Sequence, residues 1–489
     1  MKMKTIYSMI WLSLFGVVVN GQVRQPHSLY FMETIPQISQ MNPAHQPRAN
    51  GYVMLPNVNM DFLSDLAAKD IFQRQGDVWF SPVDKQYDYD RLWKSIGKKA
   101  TMFNYATDCD LIGFGFRTGN GYFSFGLSEH VSGNFTLPSD MFKITDNGFP
   151  KGTSLDFSPL NTQTIGYMQL RFGYSYKVTD KLTVGLNVKP LFGQFALATK
   201  IDRLKLHTGE GELQWDLDAK GNIYSSLPIR EVILDEKGKI DDVDFIDFDN
   251  YKTKDWLYNY GTGFFNPGIA VDLGATYQID DRLAVSAALN NLGFISWKEE
   301  LNGITFDGTY SFSGMDYDVS VDDIDDLFSH LGDSIAGAID YKIRHDKFKT
   351  ALAPVFQAGA SYQLSKSVSV GLLSRSVFWK NAVRQSFNAS VYLQPYSFVS
   401  FTAGVTWQVK SNIYLGGGFM FLLGPLQFYL LTDYAPVRYS TLRFDDGDKI
   451  PFVPTRQKTF TMRTGVNLVF GRHGYVNKPM LDKGKSSWN

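Results

Sequence analysis

The chain has 489 residues, a formal net charge of −1, one cysteine, 43 glycines and an aromatic content of 15%. A lone Cys109 excludes an intrachain disulfide framework and a cysteine-based zinc site, and the near-neutral balance offers no basic stripe for nucleic acid. Abundant aromatics and glycines with few long helical patterns point to an all-β chain.

The first 21 residues read as a secretory signal peptide. Lys2 and Lys4 form the charged start, Ile6 to Val19 the apolar run, and Val19-Asn20-Gly21 the cleavage site. No cysteine follows that run to accept a lipid, and no later stretch approaches the length of apolar sequence a spanning helix needs. An exported chain of this kind is periplasmic, secreted or an outer-membrane barrel. Residues 22–49 form a lead broken by Pro26, Pro36, Pro43 and Pro47. It contains Asn42-Pro43-Ala44, a turn-initiating tripeptide.

Alternating strands follow at 51–62, 111–117, 122–130, 164–178, 182–199, 267–279, 283–297, 351–364, 368–379, 383–394, 398–409, 412–422, 425–433 and 459–470. Pro56 marks an edge or bend in the first, and Thr118-Gly119-Asn120-Gly121 joins the second to the third by a tight turn. Polar excursions occupy 63–108, 131–162, 200–265, 298–349 and 434–458, with a short helical pattern at 89–96. The acid run Asp241-Asp242-Val243-Asp244 lacks the glycine and closing glutamate of an EF-hand loop, and reads as solvated. Val321, Ile324, Leu327, Phe328, Leu331, Ile335, Ala338 and Ile339 are spaced for an amphipathic helix over 321–343, packed over a barrel mouth.

One hairpin recurs. Gly173-Tyr174-Ser175-Tyr176-Lys177-Val178-Thr179 and the strand after it return from Gly274 and again from Gly359, at uneven intervals. In a fourteen-stranded count with both termini at one end, every copy of its turn falls at that end and every long excursion at the other. A soluble sandwich alternates too, but has no reason to sort its loops; outer-membrane barrels do sort them. Tyr beside the turn on the apolar face fits an aromatic girdle. By the same parity Arg171, Lys189, Asp272, Arg375 and Arg463 lie on the polar face. They belong in the lumen, where they either line a path or satisfy one another in a packed interior, because lipid at mid-depth would cost roughly 2–4 kcal/mol for each Arg or Lys.

Catalytic patterns are poor: Gly-x-Ser-x-Gly, His-Glu-x-x-His, P-loop and dinucleotide fingerprints are all missing. Gly332-Asp333-Ser334 falls inside the amphipathic pattern rather than on a strand-to-helix turn, so no enzyme, cofactor or metal is expected. The Asn42-Pro43-Ala44 tripeptide just before the first strand resembles the FadL-like outer-membrane transporters, whose N-terminal segment forms a hatch and which also have fourteen strands. Over nearly the whole chain, Leu29-Tyr30-Phe31-Met32, Pro36-Gln37, Asn291-Leu292-Gly293 and Gly424-Pro425-Leu426-Gln427-Phe428-Tyr429 are similar to Bacteroidetes outer-membrane barrels known only as a domain of unknown function. The last motif is also similar to the PorP-type and PorV-type barrels of type IX secretion.

The expected organisation is a signal peptide (1–21), a periplasmic hatch (22–49), a transmembrane antiparallel β-barrel of about 14 strands with large extracellular loops (50–470), and a periplasmic tail (471–489) in a Gram-negative outer membrane. The resemblance implies passive uptake of small hydrophobic molecules, with Asn42, Pro43 and Ala44 shaping the hatch, lumen charges holding it and Pro190 as a strand kink beside a lateral opening. The alternative is a scaffold or shuttle for a secretion or surface complex, with protein partners at the outer loops. Lipid is the surrounding partner in both.

Overall fold

The computed structural model describes residues 26–472 apart from 82–83, 85, 97–99, 148–150, 210–213, 228, 235–239, 246–265, 314–340, 380–381, 410–412, 435–438, 445–446, 448 and 457. The signal peptide, Ser334 and most of the tail lie outside these residues. Fourteen antiparallel strands close into a ring. They are β1 (Ala49–Ser64), β2 (Ala100–Thr118), β3 (Gly121–Pro138), β4 (Asn161–Lys177), β5 (Leu182–Thr208), β6 (Asn266–Gln278) and β7 (Leu283–Trp297). β8 (Val355–Ser365), β9 (Val368–Trp379), β10 (Ala382–Tyr396), β11 (Val399–Gln408), β12 (Ile413–Leu423), β13 (Leu426–Thr432) and β14 (Thr459–Arg472) complete it. Each strand pairs with its neighbours in this order, and β1 pairs with both β2 and β14, which removes every free edge.

The alternation sorts the strands' two faces. Phe401, Val405 and Trp407 on β11 are exposed to the outside, while Thr402 and Thr406 are buried within. Val399 departs from that parity and is buried beside Ser400, where the strand enters its turn. On β14 Thr461, Arg463 and Asn467 point inward and Phe470 outward. Tyr176, Tyr277 and Tyr362 stand exposed at the short-turn end, and Trp407 stacks on Phe387 at 5.6 Å toward the other.

The recurrent hairpins close with one device. Thr179 Oγ1 accepts from the Lys181 and Leu182 amides at 3.2 and 3.0 Å, Asp280 carboxylate from Arg282 and Leu283 at 2.8 and 2.9 Å, and Ser365 Oγ from Ser367 at 3.3 Å. A short polar side chain at the same place in each copy satisfies amides that the ladder leaves over. Pro56 sits where pairing with β14 slips by one residue, so it marks a bulge rather than an edge.

Several strands run farther at the long-connection end than their alternation indicates. β2 begins at Ala100 and β3 ends at Pro138, both inside stretches read as excursions, and β5 continues to Thr208. The extension of β5 pairs with Gln214–Ser226, which pairs with Gly303–Ser313, and that with Tyr341–Arg344. Leu206, Trp215, Leu217 and Phe306 form a separate small core there. Residues 321–340 of the expected helix lie outside the described residues; Tyr341, Lys342 and Ile343 are strand, drawn into the ladder by the edge of Gly303–Ser313. The acid run Asp241-Asp242-Val243-Asp244 lies in Ile240–Phe245, a strand that pairs antiparallel with Ile229–Leu234 rather than a loop.

Candidate functional site in the lumen

Residues 26–48 lie inside the ring and touch strands on opposite sides of it. The segment is irregular by composition: His27–Leu29 make one 3-10 turn, Ile38–Met41 one α-helical turn, and Pro43 enforces the bend that follows. Asn42, fully buried, shapes that bend by accepting the Ala44 amide on Oδ1 at 2.9 Å. Its Nδ2 donates to Tyr30 Oη at 3.2 Å and to Ala287 O at 3.3 Å. An alanine there would remove the donor to Ala287 O and Tyr30 and the acceptor of the Ala44 amide.

The wall is built to receive the bend. A Cβ at Gly274 would lie 2.1 Å from Asn42 Oδ1, and one at Gly185 would lie 2.2 Å from Pro43 O. Only glycine lets segment and strand approach this closely. Gly274 and Gly359 are the opening residues of two copies of the repeated hairpin, and a Cβ at Gly359 would meet the Tyr30 ring at 2.7 Å.

Two kinds of contact hold the segment. On the arc from β9 to β14, Leu29, Tyr30, Met32, Ile35 and Met41 pack with Leu373, Tyr392, Met420, Tyr429 and Leu431 in one buried cluster. Elsewhere the contacts are polar. Asp433, just past β13, takes the amides of His27 and Ser28, the Ser28 hydroxyl at 2.9 Å and the His27 ring at 2.6 Å. Asn290 Nδ2 and Gln357 Nε2 both donate to Met41 O, at 2.6 and 3.0 Å, and Gln427 Nε2 donates to Thr34 O at 2.8 Å. Arg117 binds Gln46 Oε1 at 2.6 Å and Pro47 O at 2.7 Å.

The five inward charges are buried around one cavity or just behind it. Arg463 pairs with Asp110 at 2.9 Å and donates to Gln40 at 2.7 Å, tying β14, β2 and the segment together. Lys189 pairs with Asp272 at 2.6 Å, and Asp272 also accepts from Asn187 at 3.0 Å and from the Asn291 amide at 2.7 Å. That last bond holds Asn291 at a φ of 63°. Arg171 donates to Ser124 at 3.3 Å, and Arg375 lines the same space. Pro190 lies on β5 opposite Ile269, and the β5–β6 ladder runs without a slip from Asn266–Gly193 to Tyr277–Leu182.

The cavity encloses about 630 Å³, part of it open to solvent, between β2 and β9 on the long-connection side of the segment. A second space of about 950 Å³ opens at the short-turn end, lined by Glu33, His45, Thr276, Ser286 and Ser361 among others. On three strands the two are four residues apart: Asp272 and Thr276, Asn290 and Ser286, Gln357 and Ser361. The residues between are Gly274, Ala288 and Gly359, and the segment's Met41–Ala44 and Tyr30 fill that layer. The barrier is about 13 Å measured along a strand.

Sequence alone leaves out Asp108 and Asp110, because the polar excursion reads to 108 and the strand from 111, and His130, at the end of the strand 122–130, has no spacing that points to Asp108. Two carboxylates one apart from Cys109 are a one-face strand signal once β2 is extended back. Nothing local marks Asn290, Gln357 or Asp433, whose roles depend on where the segment comes to lie.

The sequence matches the model of DUF5723, described as a family of unknown function, over residues 43–433. No curated protein matches. Among solved structures, the toluene transporter TodX of Pseudomonas putida is similar at 11% identity and a TM-score of 0.42, over 88% of this chain and 92% of that one. A Pseudomonas aeruginosa FadL homologue is similar at 11% identity and 0.39, over 88% and 92%. The translocator domain of the autotransporter NalP from Neisseria meningitidis is similar at 7% identity and 0.31, over 86% and 89%. These likenesses are weak and do not bear on what enters this lumen.

Proposed function

The chain belongs to DUF5723, and from that premise we propose that it is an outer-membrane barrel for passive uptake of small molecules, with residues 26–48 as a displaceable plug. The observation that carries this reading is the single layer of Met41–Ala44 and Tyr30 between two lumen spaces. Small shifts in one bend would join them. The outward apolar band and girdles support a bilayer setting, with the short turns on the periplasmic side.

The test is solute flux into proteoliposomes carrying the full barrel. Gly274→Ala places a methyl on Asn42 and should raise flux at least severalfold over wild type, and Asn42→Ala should act in the same direction. Heat-modifiable mobility confirms that each variant is folded. Folded variants that remain impermeant would overturn the transport reading.

A non-transporting scaffold is the second reading, and one observation favours it: the arc from β9 to β14 is filled by a continuous apolar cluster shared with the segment. On that reading the segment is a permanent core, and Gly274→Ala lowers stability without opening a path. As for cargo, Met41, Tyr167 and Val355 supply the apolar part of the inner cavity's wall, and the rest is polar. A hydrophobic molecule, as the sequence resemblance implies, would have to use those three surfaces.

A further inference from the structure

We propose that the inner cavity is a binding site for a small hydrophilic carboxylate, an organic anion bearing hydroxyl groups. The assignment rests on the lumen being a solute route, as proposed above, and identifies the class of solute.

Charge comes first. Among the described residues, the walls and the residue directly behind them carry Arg171, Lys189, Arg375 and Arg463 together with Asp108, Asp110 and Asp272. Asp272 is committed to Lys189, Asn187 and the Asn291 amide, and Asp110 to Arg463, Gln40 and Ser128. Asp108 is bonded to His130. Arg171, 3% exposed, donates to Ser124 and has no carboxylate within ion-pair reach among the described residues. A buried guanidinium without a counter-ion is unfavourable, and its planar fork matches a carboxylate.

Hydrogen-bonding capacity comes second. Asn290 and Gln357, 6% and 2% exposed, have their amide nitrogens tied to Met41 O. That leaves Asn290 Oδ1 and Gln357 Oε1 without a donor, both on the cavity wall. His130 Nε2 is likewise buried without a partner there. Buried amide oxygens of this kind accept from hydroxyls. A neutral sugar would leave the Arg171 guanidinium uncompensated, and a fatty acid would leave the amide oxygens bare. A hydroxylated carboxylate answers both.

Gluconate is the probe, titrated calorimetrically into the detergent-purified full-length barrel, with glucose and hexanoate alongside. Saturable gluconate binding is expected, with glucose and hexanoate each roughly tenfold weaker or more. Arg171→Gln should weaken gluconate roughly tenfold or more, and Arg171→Lys, which keeps the charge but loses the fork, by less. Absent gluconate binding, equal binding in a folded Arg171→Gln, or tighter hexanoate binding would overturn the site. Flux through Gly274→Ala without gluconate binding removes this assignment and leaves transport standing. Binding without flux in any variant removes transport and leaves the site.

Discussion

His45 is the residue whose ionisation bears most directly on how the plug is seated. It packs edge-on against Tyr30 at 4.9 Å, and burial holds its imidazole down to about 4, with Glu33 pulling weakly the other way. A displaced segment would protonate it near the ordinary value of 6.5. The displaced state therefore binds more protons as pH falls from 6.5 toward 4, and seating weakens across that window and not above it. Amide exchange of residues 42–47 should accelerate between neutral pH and pH about 5, and His45→Gln should abolish the acceleration. At this scale the sequence speaks through parity, which puts Arg171, Lys189, Asp272, Arg375 and Arg463 on the polar face, and all five are buried. It was silent on partners, since Asp110 meets Arg463 across 353 positions and no spacing rule connects them.

Among the elements, the N-terminal segment depends on its first turn. Asp433 gathers four donors from His27 and Ser28, and the His27 and Asp433 side chains are 2% and 1% exposed. Asp433→Ala leaves those donors buried and should cost the seating of this turn about 3 kcal/mol. The check is amide protection at residues 27–30, which should fall while protection in β4 and β5 stays unchanged. Strands were legible through their apolar alternation and their turn residues, which is why the three hairpins at 179, 280 and 365 stood out. Their outer ends were not. Past the apolar band the faces of β2 no longer alternate, as Phe103, Asn104, Tyr105 and Ala106 are all buried. A two-residue period cannot be read where both faces are covered.

For the molecule as a whole, the outward face is the testable surface. Leu372, in the middle of β9, is 65% exposed. In a bilayer Leu372→Arg should destabilise the barrel by about 2–4 kcal/mol, whereas in water an exposed Leu-to-Arg change is close to neutral. Urea unfolding in lipid vesicles and in detergent-free buffer separates the two. Ring size was legible, because strand count and hairpin turns are local. The filling of the lumen was not, because the glycines that admit the segment on β5, β6 and β8 are brought together by closure itself.

The Arg463–Asp110 pair, joined by Gln40, spans from β14 to β2 over the inner side of β1. The first and last strands of the ring meet at β1, so this triad is an internal stitch across the seam where the barrel closes. One of its three threads comes from the segment that is synthesised before any strand. The leading segment thus grips both sides of the seam at once, Gln40 meeting Asp110 on β2 and Arg463 on β14. Removal of Gln40's side chain would take one thread from that stitch and leave it to Arg463 and Asp110 alone.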